Sequence, residues 1–300
     1  MPGLRLDTHN TLVQLIMAEN KETDKPVKRT VLDVEDAVAM VPALRGHEKL
    51  VEKVFHWLQI DRVNDVHSRG FDTPGPDFVK YLIKDFDLTL RVDNEQVLDN
   101  LPEGPFITVS NHPFGALDGI MLIYLIATRR PEYKVMVNMI LNRLTAMRPN
   151  FIAVDQSASD DPEKKAVSVR GIREAIMQVR RGNPIGFFPA GAMSKVNWKW
   201  QLNDRPWQAN IIRLIQQLKV PVIPIYFHGN NSFLFNLLGI TFWQLRTMRL
   251  PSEVFRHNGT TMHISVGDPI TVEEQLAHQA TLDEFGSFLR SKTYELRKNK

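Results

Sequence analysis

The chain has 300 residues, of which 43% are hydrophobic, with 37 Lys and Arg against 34 Asp and Glu for a formal net charge of +3. That length suffices for a well-buried core with a smaller appendage, and so slight a positive bias suits an anionic surface but does not argue for nucleic acid. The cysteine count is zero, which excludes a disulfide framework and a thiolate metal site, and no stretch approaches the ~18 consecutive apolar residues of a membrane span.

In chain order, residues 1–30 read as a flexible N-terminal segment. The apolar run Leu12 to Ala18 is short, lacks a small-residue cleavage site and is followed by a charged linker from Asn20 to Arg29. From Val31 to Lys84 the apolar residues Leu50, Val51, Val54, Phe55 and Leu58, then Phe78, Tyr81 and Leu82, recur at helical spacing. They predict a small helical domain over 31–83. Alternation at Phe86, Leu88, Leu90 and Val92 opens a second domain over 84–300. Its further strands are predicted at Phe106 to Ser110, Tyr133 to Val137, Phe151 to Val154, up to Phe188, Val222 to Phe227 and Met262 to Val266. Helices are expected after Asp118, over Ile140 to Met147 and over Lys164 to Arg181, and this alternation predicts an α/β fold with a mixed sheet flanked by helices. Thr271 with Glu274 and Thr281 with Glu284 form capping-box patterns that open two C-terminal helices.

The segment with most chemical content is Asn111-His112-Pro113-Phe114-Gly115-Ala116-Leu117-Asp118, on the loop between a predicted strand and a predicted helix. A neutral imidazole held on one ring nitrogen by a carboxylate accepts a proton on the other, and such a base contributes roughly 10²–10⁴-fold to a rate. The bland alternative is also open: Asp118 stands where an N-cap belongs, and His112 is then a loop histidine satisfied by backbone.

This segment resembles the first motif of the glycerolipid and lysophospholipid acyltransferase superfamily, in the hemolysin branch, which has five residues between His and Asp where the common form has four. Gly115 permits a bulge that accommodates the extra residue. Three further segments follow in the family's order: Asn150 to Gln156, Phe187-Phe188-Pro189-Ala190-Gly191-Ala192-Met193-Ser194, and Val220-Pro221-Val222-Ile223-Pro224-Ile225. The resemblance implies a glycerol-phosphate acyltransferase-like fold and transfer of an acyl group from acyl-CoA or acyl carrier protein to a lipid hydroxyl, with no bound cofactor and no metal. It makes His112 the general base and Asp118 its orienting partner. It assigns Asn111, Phe114, Gly115, Phe188, Pro189, Gly191, Ser194 and Lys195 to substrate binding. The expected partners are a lipid acceptor, the thioester donor and a membrane surface, with the protein cytoplasmic and peripheral on the inner face of the cell membrane.

The departures are informative. Ala190 and Met193 stand where the common Phe-Pro-Glu-Gly-Thr-Arg-Ser form has Glu and Arg, and Gln156 stands where the family usually has Arg. A site without those arginines loses bidentate phosphate recognition. The expected acceptor is therefore a lyso-aminolipid, an N-acylated amino acid with a free hydroxyl; Lys195 as a substitute cation keeps a lysophospholipid as the alternative. A non-catalytic, membrane-binding hemolysin-like protein is the second class to be tested.

The helix over Lys164 to Arg181 is read as a solvated basic face, with a grip on the phosphates of CoA or the acidic face of a carrier protein as the alternative. Lys195, Asn197 and Lys199 interleaved with Trp198 and Trp200, and the apolar stretch Asn231 to Arg256, are candidate lipid contacts. No Gly-x-Ser-x-Gly elbow, His-Glu-x-x-His pair or Gly-x-x-x-x-Gly-Lys loop is present. His228 follows a core strand and is read as structural, as are His9, His47, His56, His67, His257, His263 and His278.

Overall fold

The computed structural model describes residues 28–298 apart from 41, 156–161, 198–200, 242–245 and 247–248. The N-terminal segment up to residue 27, Gln156 and its polar loop, Trp198, Lys199, Trp200 and part of the apolar stretch after Asn231 lie outside the described residues.

Four helices come first: α1 (Val34–Met40), α2 (Glu48–Trp57), α3 (Ile60–Gly70) and α4 (Pro76–Asp85). Strand β1 (Thr89–Asp93) and the short α5 (Gln96–Asp99) lead to β2 (Ile107–Ser110), α6 (Ala116–Ala127) and β3 (Lys134–Asn138). Next come β4 (Phe151–Val154), α7 (Pro162–Arg180), β5 (Ile185–Phe187), the two-residue β6 (Lys195–Val196) and β7 (Leu202–Asn203), and α8 (Ala209–Leu218). The chain closes with β8 (Val222–His228), α9 (Phe233–Thr241), α10 (Leu250–Arg256), β9 (Thr261–Val266), α11 (Val272–Leu276) and α12 (Leu282–Glu295).

Seven strands form one sheet in the order β1-β9-β8-β2-β5-β3-β4, while β6 and β7 make a separate antiparallel hairpin. Strands β8, β2, β5, β3 and β4 are paired in parallel, and β9 pairs antiparallel with β8 and parallel with β1. The fold is thus the mixed α/β sandwich expected from the element order, with β2 at its centre. Alternation along each strand splits the core in two. Ile223, Ile225, Phe227 and Ile264 pack with Phe78, Val79 and Leu82 of α4 and with Leu117, Met121 and Leu122 of α6. On the other face Ile107, Val109, Ile185 and Val222 meet Ala175 of α7, Ile212 and Ile215 of α8 and Phe285 and Leu289 of α12. Helix α4, and α3 through Val66, therefore share one apolar cluster with the sheet.

Both C-terminal capping patterns form: Thr271 and Thr281 accept from the backbone amides of Glu274 and Glu284 at 3.1 Å each. Two local expectations are corrected. The segment expected as one α-helix over 140–147 is instead two 3-10 stretches, Met139–Arg143 and Thr145–Asn150. The Asn138 side chain tightens the first by accepting from the amide of Ile140, and Pro149 inside the second lacks the N–H that an α-helix would use. The strand expected from Phe86 begins only at Thr89, because the Phe86 amide is still bonded to Leu82 at the end of α4.

Candidate active site

The site is built at the end of the central strand. All four residues of β2 are buried, and the next residue, Asn111, fastens the chain to β8. Its Nδ2 donates to the Phe227 carbonyl at 2.9 Å and its Oδ1 accepts from the Phe227 amide at 2.7 Å. His112 follows at the open end of the parallel strands, where α/β sheets commonly bind their ligands. Its Nδ1 lies 2.8 Å from Asp118 Oδ2, its backbone amide donates to Asp204 Oδ1 at 3.2 Å, and its ring stacks on Phe188 with centroids 4.2 Å apart.

Asp118 is not the N-cap. The helix begins three residues earlier than its apolar run indicates, Gly115 is the N-cap, and Asp118 is the third helical residue, folding back over the first turn. Its Oδ2 accepts from the amides of Phe114 and Gly115, both at 2.9 Å, as well as meeting His112. The turn requires glycine: Gly115 has φ +77°, and a Cβ there would sit 2.7 Å from Met193 Sδ and 3.0 Å from Leu250 Cδ1. Asp118 is fully buried, and among the described residues its Oδ1 has no hydrogen-bond partner. Burial pushes its carboxyl up, against the opposing pull of His112 and the two amides. A carboxylate that receives Nδ1–H leaves Nε2 as the imidazole's proton acceptor.

The Phe187–Ser194 block wraps the other side of the histidine. Gly191, at φ +64°, closes a turn by donating to the Phe188 carbonyl at 2.9 Å, and the Gln208 side chain occupies the space a Cβ would need. Ser194 is a strut: its amide donates to the His112 carbonyl at 2.8 Å, its Oγ donates to Asp204 Oδ1 at 2.5 Å, and its carbonyl accepts from Arg246 Nη2 at 2.7 Å. Asp204, itself buried, so ties the His112 backbone to this block, and its own amide donates to the Tyr294 hydroxyl at 2.9 Å.

His112 and Phe188 open onto a cavity of about 710 Å³. Its lining includes the apolar Ile120, Leu141, Leu144, Met147 and Phe151 and the cations Lys195, Arg205 and Arg246. A smaller cavity of about 240 Å³ shares Met136, Phe188 and Gly191 with it but not His112. Arg246 is only 5% exposed, and among the described residues its buried Nε has no hydrogen-bond partner and no carboxylate is paired with it. Burial pushes its guanidinium down to about 10, with Arg205 adding repulsion. Burial also lowers Lys195, and the same two arginines lower it further.

Of the residues expected to bind substrate, Gly115, Phe188, Gly191 and Lys195 line this cavity together with His112. Asn111, Phe114, Pro189 and Ser194 are instead buried behind it: Phe114 packs edge-on against His257, and the Pro189 carbonyl accepts from the Gln208 amide. The expectation of a site short of positive charge is corrected, because Arg205 and Arg246 stand beside Lys195 where the motif's own arginine is missing. Arg246 lies within the stretch Asn231 to Arg256 that the sequence marks only as a candidate lipid contact, and Asp204 and Arg205 carry no motif signal.

A family model described as acyltransferase matches residues 38–300. The chain is 28% identical over 232 residues to a lyso-glycine lipid O-acyltransferase of Bacteroides thetaiotaomicron, spanning 73% of this chain and 79% of that protein. It is 25% identical over 256 residues to a lyso-glycine lipid O-acyltransferase of Phocaeicola vulgatus, spanning 82% and 87%. The crystal structure of the 1-acyl-sn-glycerophosphate (LPA) acyltransferase PlsC from Thermotoga maritima is similar with a TM-score of 0.47 and 16% identity, over 83% of this chain and 95% of that one. The chain belongs to the acyltransferase family, within the glycerolipid acyltransferase superfamily that its sequence resembles, and is an enzyme that transfers acyl groups.

Proposed function

We propose that this enzyme moves a fatty acyl group from an acyl thioester, acyl-CoA or acyl carrier protein, to the hydroxyl of a lyso-lipid with a carboxylate head group, of the lyso-glycine-lipid class. The observation that carries this is one cavity lined by His112, whose Nδ1 is held by the buried Asp118, by apolar side chains, and by a buried arginine without a carboxylate partner among the described residues. A desolvated cation gains most from an anion brought to it. The names of the two curated relatives point to the same acceptor class.

In the proposed reaction the acceptor hydroxyl oxygen attacks the thioester carbonyl carbon while His112 Nε2 takes its proton. Asp118 holds Nδ1–H and stabilises the imidazolium. The tetrahedral intermediate then expels the thiol, the C–S bond breaks, and the imidazolium returns the proton to sulfur. The amides of His112, Phe114, Gly115, Gly191 and Ser194 are already committed to other partners. The oxyanion is assigned to other donors of the cavity wall, Lys195 and Arg205 among them. Purified wild type and His112→Ala, each incubated with acyl-CoA or acyl carrier protein and a monoacylated glycine lipid, are to be compared by mass spectrometry. Diacylated product from the wild type alone is expected. None from the wild type with either donor would overturn the assignment and leave the membrane-binding class standing.

The acceptor and product are lipids, so the site must meet a membrane. No described helix is long and apolar enough to cross one. Helix α9 exposes Phe233, Leu234, Leu237 and Ile240, and Arg246 packs beneath it against Gly239 and the Phe235 ring. We assign this apolar face to peripheral membrane contact. In vesicle co-sedimentation, Leu234→Glu with Ile240→Glu is expected to release the protein from anionic vesicles; undiminished binding would locate the contact elsewhere.

A further inference from the structure

On the sheet face opposite α6, three neighbouring strands bring two imidazoles and a carboxylate together. His228 ends β8 and lies directly across from His263 of β9, while Asp93, the last residue of β1, lies across from Ser265 of β9. His263 Nε2 is 2.5 Å from Asp93 Oδ2, Ser265 Oγ donates to the same oxygen at 2.8 Å, and His228 Nε2 is 2.8 Å from Ser265 Oγ. The two imidazoles are stacked, with centroids 4.0 Å apart and planes 11° apart. One ligand atom from each of Asp93, His228 and His263 falls within 4.8 Å of the others.

We propose that Asp93, His228 and His263 bind a divalent transition metal of the zinc class. Two imidazoles and one carboxylate are a donor set for zinc, cobalt, nickel or copper, whereas calcium and magnesium take mainly oxygen. Bonds of about 2.0–2.1 Å in a tetrahedron place ligand atoms roughly 3.3 Å apart. The ligand atoms, all within 4.8 Å of one another, stand close to that spacing. Arg91 Nε lies 3.8 Å from Asp93 Oδ1 and so occupies the other carboxylate oxygen, leaving Oδ2 to face the histidines. Ser265, already bonded to Oδ2, supplies the neighbouring shell that orients the carboxylate. His228 adjoins Phe227, which Asn111 grips beside His112. A metal here would staple β1, β9 and β8 and stiffen the strand on which the catalytic loop is anchored. Sequence spacing does not announce the site, because its ligands come from three separate strands.

The test uses the full chain, stripped with a chelator and titrated with Zn²⁺ by calorimetry and with Co²⁺ by absorption. One zinc per chain, the intense visible bands of four-coordinate cobalt and a raised thermal midpoint are expected. Asp93→Asn and His263→Ala should each weaken zinc binding by at least roughly 10-fold, while His112→Ala leaves it unchanged. Failure of the wild type to bind zinc below millimolar concentration, or the weak bands of six-coordinate cobalt, would overturn the proposal without reliance on any variant's folding. Zinc binding that survives in folded Asp93→Asn and His263→Ala would overturn it as well.

Discussion

Asp118→Asn is expected to lower acyl transfer by roughly 10²–10⁴-fold, the range of a general base's contribution, because the imidazolium loses its counter-charge. Nδ1 of His112 lies 2.8 Å from an oxygen that also receives two backbone amides. All three donors meet that one oxygen, so an Asn that keeps its oxygen there retains the contacts and puts its –NH₂ in the place of Oδ1, whereas the reversed rotamer turns –NH₂ onto all three donors. The first rotamer preserves the Nδ1–H tautomer, and what it loses is the negative charge that stabilises the imidazolium. Stability should change much less, by about 1–2 kcal/mol, because the weakening of the charged hydrogen bonds is offset by relief of a fully buried carboxylate whose Oδ1 has no hydrogen-bond partner among the described residues. The measurements are kcat with saturating donor and acceptor, its pH profile, and denaturant unfolding of both proteins. A kcat within tenfold of wild type would remove the pair from the mechanism. An equal loss of activity and folding would make Asp118 structural.

What the sequence made legible here was local. The strand before Asn111, the loop and the helix behind it are consecutive, so the presence of His112 and Asp118 on one turn follows from apolar periodicity alone. Their contact across five intervening residues does not. It depends on Gly115 taking a positive φ, which starts the helix early and brings the Asp118 carboxylate back over its first turn. Residues next to the motif proved separable only in three dimensions. Phe188 reaches the cavity, while its neighbour Pro189 turns into the chain behind it. Asp204 and Arg246 were invisible because nothing in their own surroundings marks them. One gains its place from the β6–β7 hairpin and the other from packing beneath α9, contacts that join distant parts of the chain.

Arg246→Met separates acceptor recognition from scaffold support, because the two roles move stability and kinetics in different directions. Among the described residues the buried guanidinium has no carboxylate partner and its Nε no hydrogen-bond partner. Among the same residues its desolvation is offset by the 2.7 Å bond to the Ser194 carbonyl and by the Phe235 ring, 4.8 Å from its Cζ. Methionine keeps much of the packing volume and removes the buried charge, so unfolding free energy is expected to stay within about 1 kcal/mol of wild type, with a gain as plausible as a loss. The acceptor complex loses a charge-assisted hydrogen bond of about 1.5–3 kcal/mol, a rise in KM of roughly 10- to 150-fold for a carboxylate-bearing acceptor. The loss should vanish for the same lipid with its carboxylate capped as an amide, and KM for the thioester should be unaffected. A variant equally impaired with charged and capped acceptors would show that Arg246 holds Ser194 and the His112 loop in place and does not meet the head group. Selective loss with the charged acceptor would show that the cation removed from the Phe-Pro motif has been replaced from a different part of the fold, with the lipid's carboxylate as its missing partner.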